Sequence, residues 1–78
     1  MPINQDIPLT SLAFNPGSQL AAVGQGDGQI ILVDLNTFQV VATLNGHLGS
    51  VEALAFSPDG RYLASGSSGG SVRLWGLP

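Results

Sequence analysis

The sequence predicts an all-β protein built from two repeated antiparallel sheets, each a meander of short strands. Two observations point there. Eleven glycines and five prolines in 78 residues interrupt every window before a helix could complete three turns. The chain also repeats its own pattern at about 42 residues, a period typical of stacked supersecondary units.

Residues 1 to 8 hold two prolines and Asp6 and read as an extended arm. Thr10 to Phe14 is the first predicted strand, closed by Asn15-Pro16-Gly17. Gln19 to Val23 is the second, followed by Gly24-Gln25-Gly26-Asp27-Gly28, in which Asp27-Gly28 is a hairpin dipeptide. Gln29 to Asp34 is the third, Asn36-Thr37 makes a turn, and Phe38 to Leu44 is the fourth. A loop over Asn45-Gly46-His47-Leu48-Gly49-Ser50 leads into Val51 to Phe56, Arg61 to Ser65 and Ser71 to Trp75. Ser57-Pro58-Asp59-Gly60 and Ser67-Ser68-Gly69-Gly70 separate these last three, with Pro presetting φ and Gly accepting φ > 0.

Charge is sparse and confined. Only 9% of the chain is charged while 44% is hydrophobic, against roughly 25% charged in an average soluble domain. Asp6, Asp27, Asp34, Glu52, Asp59 and Arg61 fall at turns and strand ends, and only Arg73 lies inside a strand. Ile30-Ile31-Leu32-Val33 and Val40-Val41-Ala42 are apolar at consecutive positions, as expected of strands covered on both faces. A chain of this size buries only about 60% of its unfolded surface. With no cysteine to staple it, it needs neighbours. A net charge of −3 without lysine argues against nucleic acid and anionic membranes, which need clustered basic side chains. Met-Pro-Ile-Asn-Gln-Asp lacks the basic and apolar regions of a secretory signal, and no apolar run nears the ~20 residues of a membrane span. A cytoplasmic location is the expectation.

Leu12, Ala13, Phe14 and Pro16 recur as Leu54, Ala55, Phe56 and Pro58, and Gly28, Leu32 and Leu35 recur as Gly70, Leu74 and Leu77. Gly17, Leu20 and Ala21 match Gly60, Leu63 and Ala64 one residue out of phase, which places the slips in turns. A unit carrying Gly46-His47, then Leu54-Ala55-Phe56-Ser57-Pro58-Asp59-Gly60, then Leu63-Ala64-Ser65-Gly66-Ser67, then Val72-Arg73-Leu74-Trp75 resembles the WD-repeat family of β-propellers. The resemblance implies four-stranded blades packed face to face around a channel: a first blade over 9–46 and a second over 47–78 that lacks its outermost strand. It also implies a non-enzymatic scaffold that presents loops to other proteins.

In that family a hydrogen-bond network joins the His of Gly-His, a Ser or Thr of the second strand, the Trp of the third and an Asp in the turn between them. Carried over, His47, Ser65 and Trp75 match in the second unit, but Gly69 stands where the Asp belongs. In the first unit Asp27 matches, while Gln5, Ala22 and Val33 take the other places. The resemblance therefore assigns His47, Ser65, Trp75 and Asp27 to structure.

Two blades do not close a ring, since propellers have roughly four to eight. Head-to-tail contacts are heterologous and form rings when the rotation closes, so homo-oligomers of three or four chains, giving six or eight blades, are expected. The arm at 1–8 is a candidate to cross to a neighbour's unfinished blade. The alternatives are a lectin-like or small-ligand-binding ring, and an inactive fragment of a longer WD-repeat protein. A lectin-like ring calls for exposed aromatics near loops, yet Phe14, Phe38, Phe56, Tyr62 and Trp75 all fall in predicted strands.

Other sites carry plain readings. The glycines at 24, 26 and 28 suggest a phosphate loop, but such a loop must open a helix and a strand follows here. His47 with Ser50, Ser65 or Ser67 and an aspartate suggests a hydrolase triad, yet no nucleophile-elbow pattern occurs. One His, no Cys and scattered aspartates do not make a metal or calcium site, and no cofactor is implied. The expected partner-binding surface is the loop set Leu48, Ser50 and Glu52 with its first-unit counterparts Pro8 and Thr10.

Overall fold

A computed structural model describes residues 7–77; most of the predicted arm, and Gln5 with it, lies outside the described residues. Seven strands form two antiparallel meanders. The first sheet holds β1 (Leu9–Phe14), β2 (Leu20–Gln25), β3 (Ile30–Asp34) and β4 (Gln39–Leu44) in that order. The second holds β5 (Val51–Phe56), β6 (Tyr62–Ser67) and β7 (Val72–Gly76).

The repeat is stricter than the sequence pattern suggests. Leu12 pairs with Val23 and Ala22 with Leu32; the residues 42 positions later, Leu54 with Ser65 and Ala64 with Leu74, pair the same way. The offset holds at every pair of β1–β3 and β5–β7, including the irregularity between Leu9 and Ser11 and between Val51 and Ala53. The expected one-residue slip is therefore corrected: Ala21, not Leu20, is the counterpart of Leu63. A slip would turn every side chain of β2 to the opposite face, and the likeness of Leu20-Ala21 to Leu63-Ala64 is a coincidence of composition.

The sheets stack with β1 and β2 against β5. Ala22, Ile30 and Leu32 of the first sheet meet Val51 and Leu63 of the second in one buried cluster, flanked by Leu20, Ala42, Leu44, Leu54, Phe56, Trp75 and Leu77. Gly24 permits the approach: a Cβ there would lie 2.8 Å from the Val51 side chain and run into the Ser11 hydroxyl. Polar groups tie the edges of the contact. Thr10 Oγ1 and Ser11 Oγ both donate to the Val51 carbonyl, at 2.5 and 2.9 Å. Asn15 Nδ2 donates to the Gly60 carbonyl at 3.0 Å while its Oδ1 accepts from Gly17 N at 2.8 Å.

Phe38 departs from the expectation that all five aromatics lie in strands. It precedes β4 in the turn after Asp34, at φ 57°, and its amide donates to the Asp34 carbonyl at 2.6 Å. Closing so short a turn requires a left-handed residue, and the chain uses a Phe for it.

Candidate functional site

The β4–β5 loop carries His47 into the end of the sheet contact. Gly46 precedes it, and the loop packs on the β2–β3 turn, where Gly28 sits at φ 90° directly beneath the His47 and Gly49 carbonyls. No Cβ fits there. His47 Nε2 lies 2.6 Å from Ser65 Oγ, and Trp75 Nε1 donates to the same oxygen at 2.8 Å. His47 Nδ1 lies 2.8 Å from Ser71 Oγ, which lies 2.9 Å from Ser67 Oγ.

These distances set the proton arrangement. Ser65 is 2% exposed, so its hydroxyl proton needs an acceptor, and His47 Nε2 is the neighbour able to take it. Nδ1 then carries the ring proton and donates to Ser71, which donates to Ser67. The bonds run head to tail from Trp75 to Ser67, an order in which each polarises the next. Burial holds the His47 imidazole below its ordinary value near 6.5, and the charge of Arg73 lowers it further. Arg73 Nε donates to the Gly46 carbonyl at 3.1 Å, and its guanidinium carbon lies 5.8 Å from the Trp75 ring centroid. His47 meets that indole edge to face, with centroids 6.4 Å apart.

The sequence did not point to Ser71, and named Ser67 only as a candidate nucleophile. The position of the family's Asp is Gly69, in the turn, whereas the group that holds Nδ1 stands two residues later. Only the register of β6 on β7, which sets Gly66 opposite Val72, brings that hydroxyl to the ring. Asp27, the match in the first unit, closes its own turn: its Oδ1 accepts from Gln29 N at 3.0 Å. The counterpart of Ser65 in the first sheet is Val23 rather than Ala22. The positions of Ser65, Arg73 and Trp75 hold Val23, Ile31 and Val33 there, a second buried apolar cluster.

Of the expected partner-binding residues, Leu48 is 82% exposed and Pro8 is exposed, its carbonyl accepting from Gly26 N at 2.8 Å. Ser50 is half-buried; its amide donates to Ser68 Oγ at 3.1 Å, and its hydroxyl donates to Glu52 Oε1 at 2.8 Å. Thr10 lies in β1, as expected, but its hydroxyl is engaged in the sheet contact with the Val51 carbonyl. A cleft of about 480 Å³ opens at the outer rim between the sheets, lined by Leu20, Leu32, Val41 and Leu77 with Asn15 and Arg61. Among the described residues no three of His, Asp and Glu converge on a point that would hold a metal ion, and no helix is long and apolar enough to cross a membrane.

The family model described as WD domain, G-beta repeat matches residues 4–34 and 38–76. The chain is 37% identical over 73 residues to U3 small nucleolar RNA-associated protein 21 of Saccharomyces cerevisiae, covering 94% of this chain and 8% of that protein. It is 33% identical over 67 residues to the human serine-threonine kinase receptor-associated protein, covering 86% of this chain and 19% of that one. Among solved structures, the Cps50 (Swd1) β-propeller domain of Myceliophteria thermophila superposes with a TM-score of 0.85 at 38% identity, over 88% of this chain and 21% of that chain. A chain of the mitotic checkpoint complex superposes with a TM-score of 0.84 at 22% identity, over 92% of this chain and 22% of that one, and shows the fold alone. The chain thus spans less than a quarter of the length of each of these proteins. Two units that repeat in one register at an offset of 42 residues, with a His-Ser-Trp network at their junction, and a family match to both units place this chain in the WD40 repeat family of β-propellers.

Proposed function

We propose that the chain is a non-enzymatic interaction scaffold: two propeller blades that present a loop surface to other proteins. The observation that carries this is the clustering of loops at one end of the sheets. The β4–β5 loop lies between the β2–β3 turn, through Gly28, and the β6–β7 turn, where Gly69 meets the Leu48 carbonyl. Leu48 projects from the middle of this end. A large apolar side chain held outward on a braced loop is a contact suited to another protein. His47, Ser65 and Trp75 serve structure in this reading, since both imidazole nitrogens are engaged by hydroxyls and the serine is buried. A nucleophile needs a free approach that Ser65 lacks. The test is a pull-down with the wild-type chain and with Leu48→Ala and Ser50→Ala variants. Partners retained unchanged by both variants would show that this surface is not the binding site.

The finer reading is that three or four copies close a ring head to tail. Large apolar side chains exposed on the outer faces of both sheets, among them Leu12, Phe14, Val72 and Leu74, support it. The length of the relatives supports a second reading, in which the two units are blades within a longer chain's ring. Phe14, Phe38 and Tyr62 are exposed, but Phe14 and Tyr62 belong to sheet faces, which favours packing over a sugar-binding loop. The mass of the folded chain in solution separates ring from monomer.

A further inference from the structure

We infer that the outer face of the second sheet is a docking site for the outer face of the first sheet of a second copy, with Leu9 of that copy seated over Gly66. This rests on the self-assembly reading above and assigns its surface.

The argument is the 42-residue register. Inside one chain, the first sheet offers Ser11, Ala13, Ala22, Gly24, Ile30 and Leu32 to the second. Their counterparts are Ala53, Ala55, Ala64, Gly66, Val72 and Leu74, and these form the uncovered face of the second sheet. Ile30 and Leu32 are 0% and 4% exposed, whereas Val72 and Leu74 are 82% and 70% exposed. The same face of small and branched side chains is thus covered once and bare once. The other half of the contact behaves alike: Leu54 and Phe56 pack into the shared core, while their counterparts Leu12 and Phe14 are exposed.

The glycines report the fit. Gly24 exists to admit Val51, whereas a Cβ on its counterpart Gly66 meets nothing within 4 Å. The counterpart of Val51 is Leu9, so a second copy stacked in the same register sets its Leu9 over the open space at Gly66. Chemistry also makes this contact weaker than the internal one. Thr10 and Ser11 donate two hydroxyl hydrogen bonds to the Val51 carbonyl, but their counterparts are Glu52 and Ala53. At that junction a carboxylate would face the Leu9 carbonyl, acceptor against acceptor, in place of two donors. Association is therefore concentration-dependent.

The experiment is sedimentation velocity over a wide concentration range on the wild-type chain, Gly66→Val and Glu52→Thr, with circular dichroism on dilute samples to confirm folding. Gly66→Val fills that open space without a clash inside the chain and should raise the concentration for half-assembly about ten-fold or more. Glu52→Thr replaces the acceptor with a donor and should lower it several-fold, about as one hydrogen bond allows. Wild-type assembly that neither variant shifts would overturn the face assigned here and leave self-assembly standing. A folded wild-type chain that stays monomeric throughout the range would overturn both.

Discussion

Ser65 is the residue on which the junction turns, because one buried oxygen serves both His47 and Trp75. Ser65→Ala leaves an indole N–H and an imidazole nitrogen without partners, and should cost about 2–3 kcal/mol in denaturant unfolding. His47 makes stability depend on pH. Its folded-state pKa lies below the unfolded value near 6.5, so its contribution is complete above about pH 6.5 and is lost as the pH falls through the folded value. Urea midpoints should therefore decline on acidification below about pH 6.5, with a shallower decline in His47→Gln. Ser71→Asp would place a carboxylate against Nδ1–H and favour the imidazolium. A titration of the His47 ring resonances by NMR should show its pKa moving upward in that variant; an unmoved pKa would mean that Ser71 does not hold the ring. Of this site, His47, Ser65 and Trp75 were legible as motif residues. Ser71 was not, because a serine in a run of serines and glycines carries no signal until the strand register sets it beside a particular ring.

At the scale of the element, turns and the sheet contact are the informative parts. Phe38 holds φ 57° in the turn before β4, a conformation costing an L-residue about 1–2 kcal/mol, and its ring is exposed. Phe38→Asn should raise unfolding stability by about 1 kcal/mol, since Asn tolerates the left-handed region; a loss instead would show that the ring packs better than its exposure indicates. Gly24 and Gly66 occupy the same place in the two sheets, yet Gly24→Ala should cost about 1–3 kcal/mol while Gly66→Ala is tolerated in the dilute chain. Thermal melts of the two variants give the comparison directly. The strands themselves were legible from turn chemistry and apolar runs, with boundaries moved by one or two residues. The phase of the repeat was not. Leu-Ala occurs at two neighbouring offsets, and only the hydrogen-bonded ladder distinguishes them.

At the scale of the whole molecule, two sheets share one core and each leaves a face of apolar side chains outside it. Burying such faces stabilises by roughly 25 cal/mol per Å² of apolar surface, so a covering blade adds to stability by mass action. If copies of the chain provide it, the melting temperature should rise with protein concentration, by up to about 5 °C per ten-fold. A melting temperature indifferent to concentration would place the covering blades elsewhere.

The sequence alone determined the all-β class, the 42-residue repeat, the family and three members of the junction network, because turn residues, apolar runs and repeated motifs are local properties of a chain. The tertiary structure decided what depends on two distant segments meeting: that the units keep one register throughout, that Ser71 stands in for an aspartate, that Thr10 and Asn15 belong to the sheet contact, and that Gly66 is open where Gly24 is filled. Register fixes which side of the pleat a residue occupies, and occupancy of that side is settled only by what packs against it.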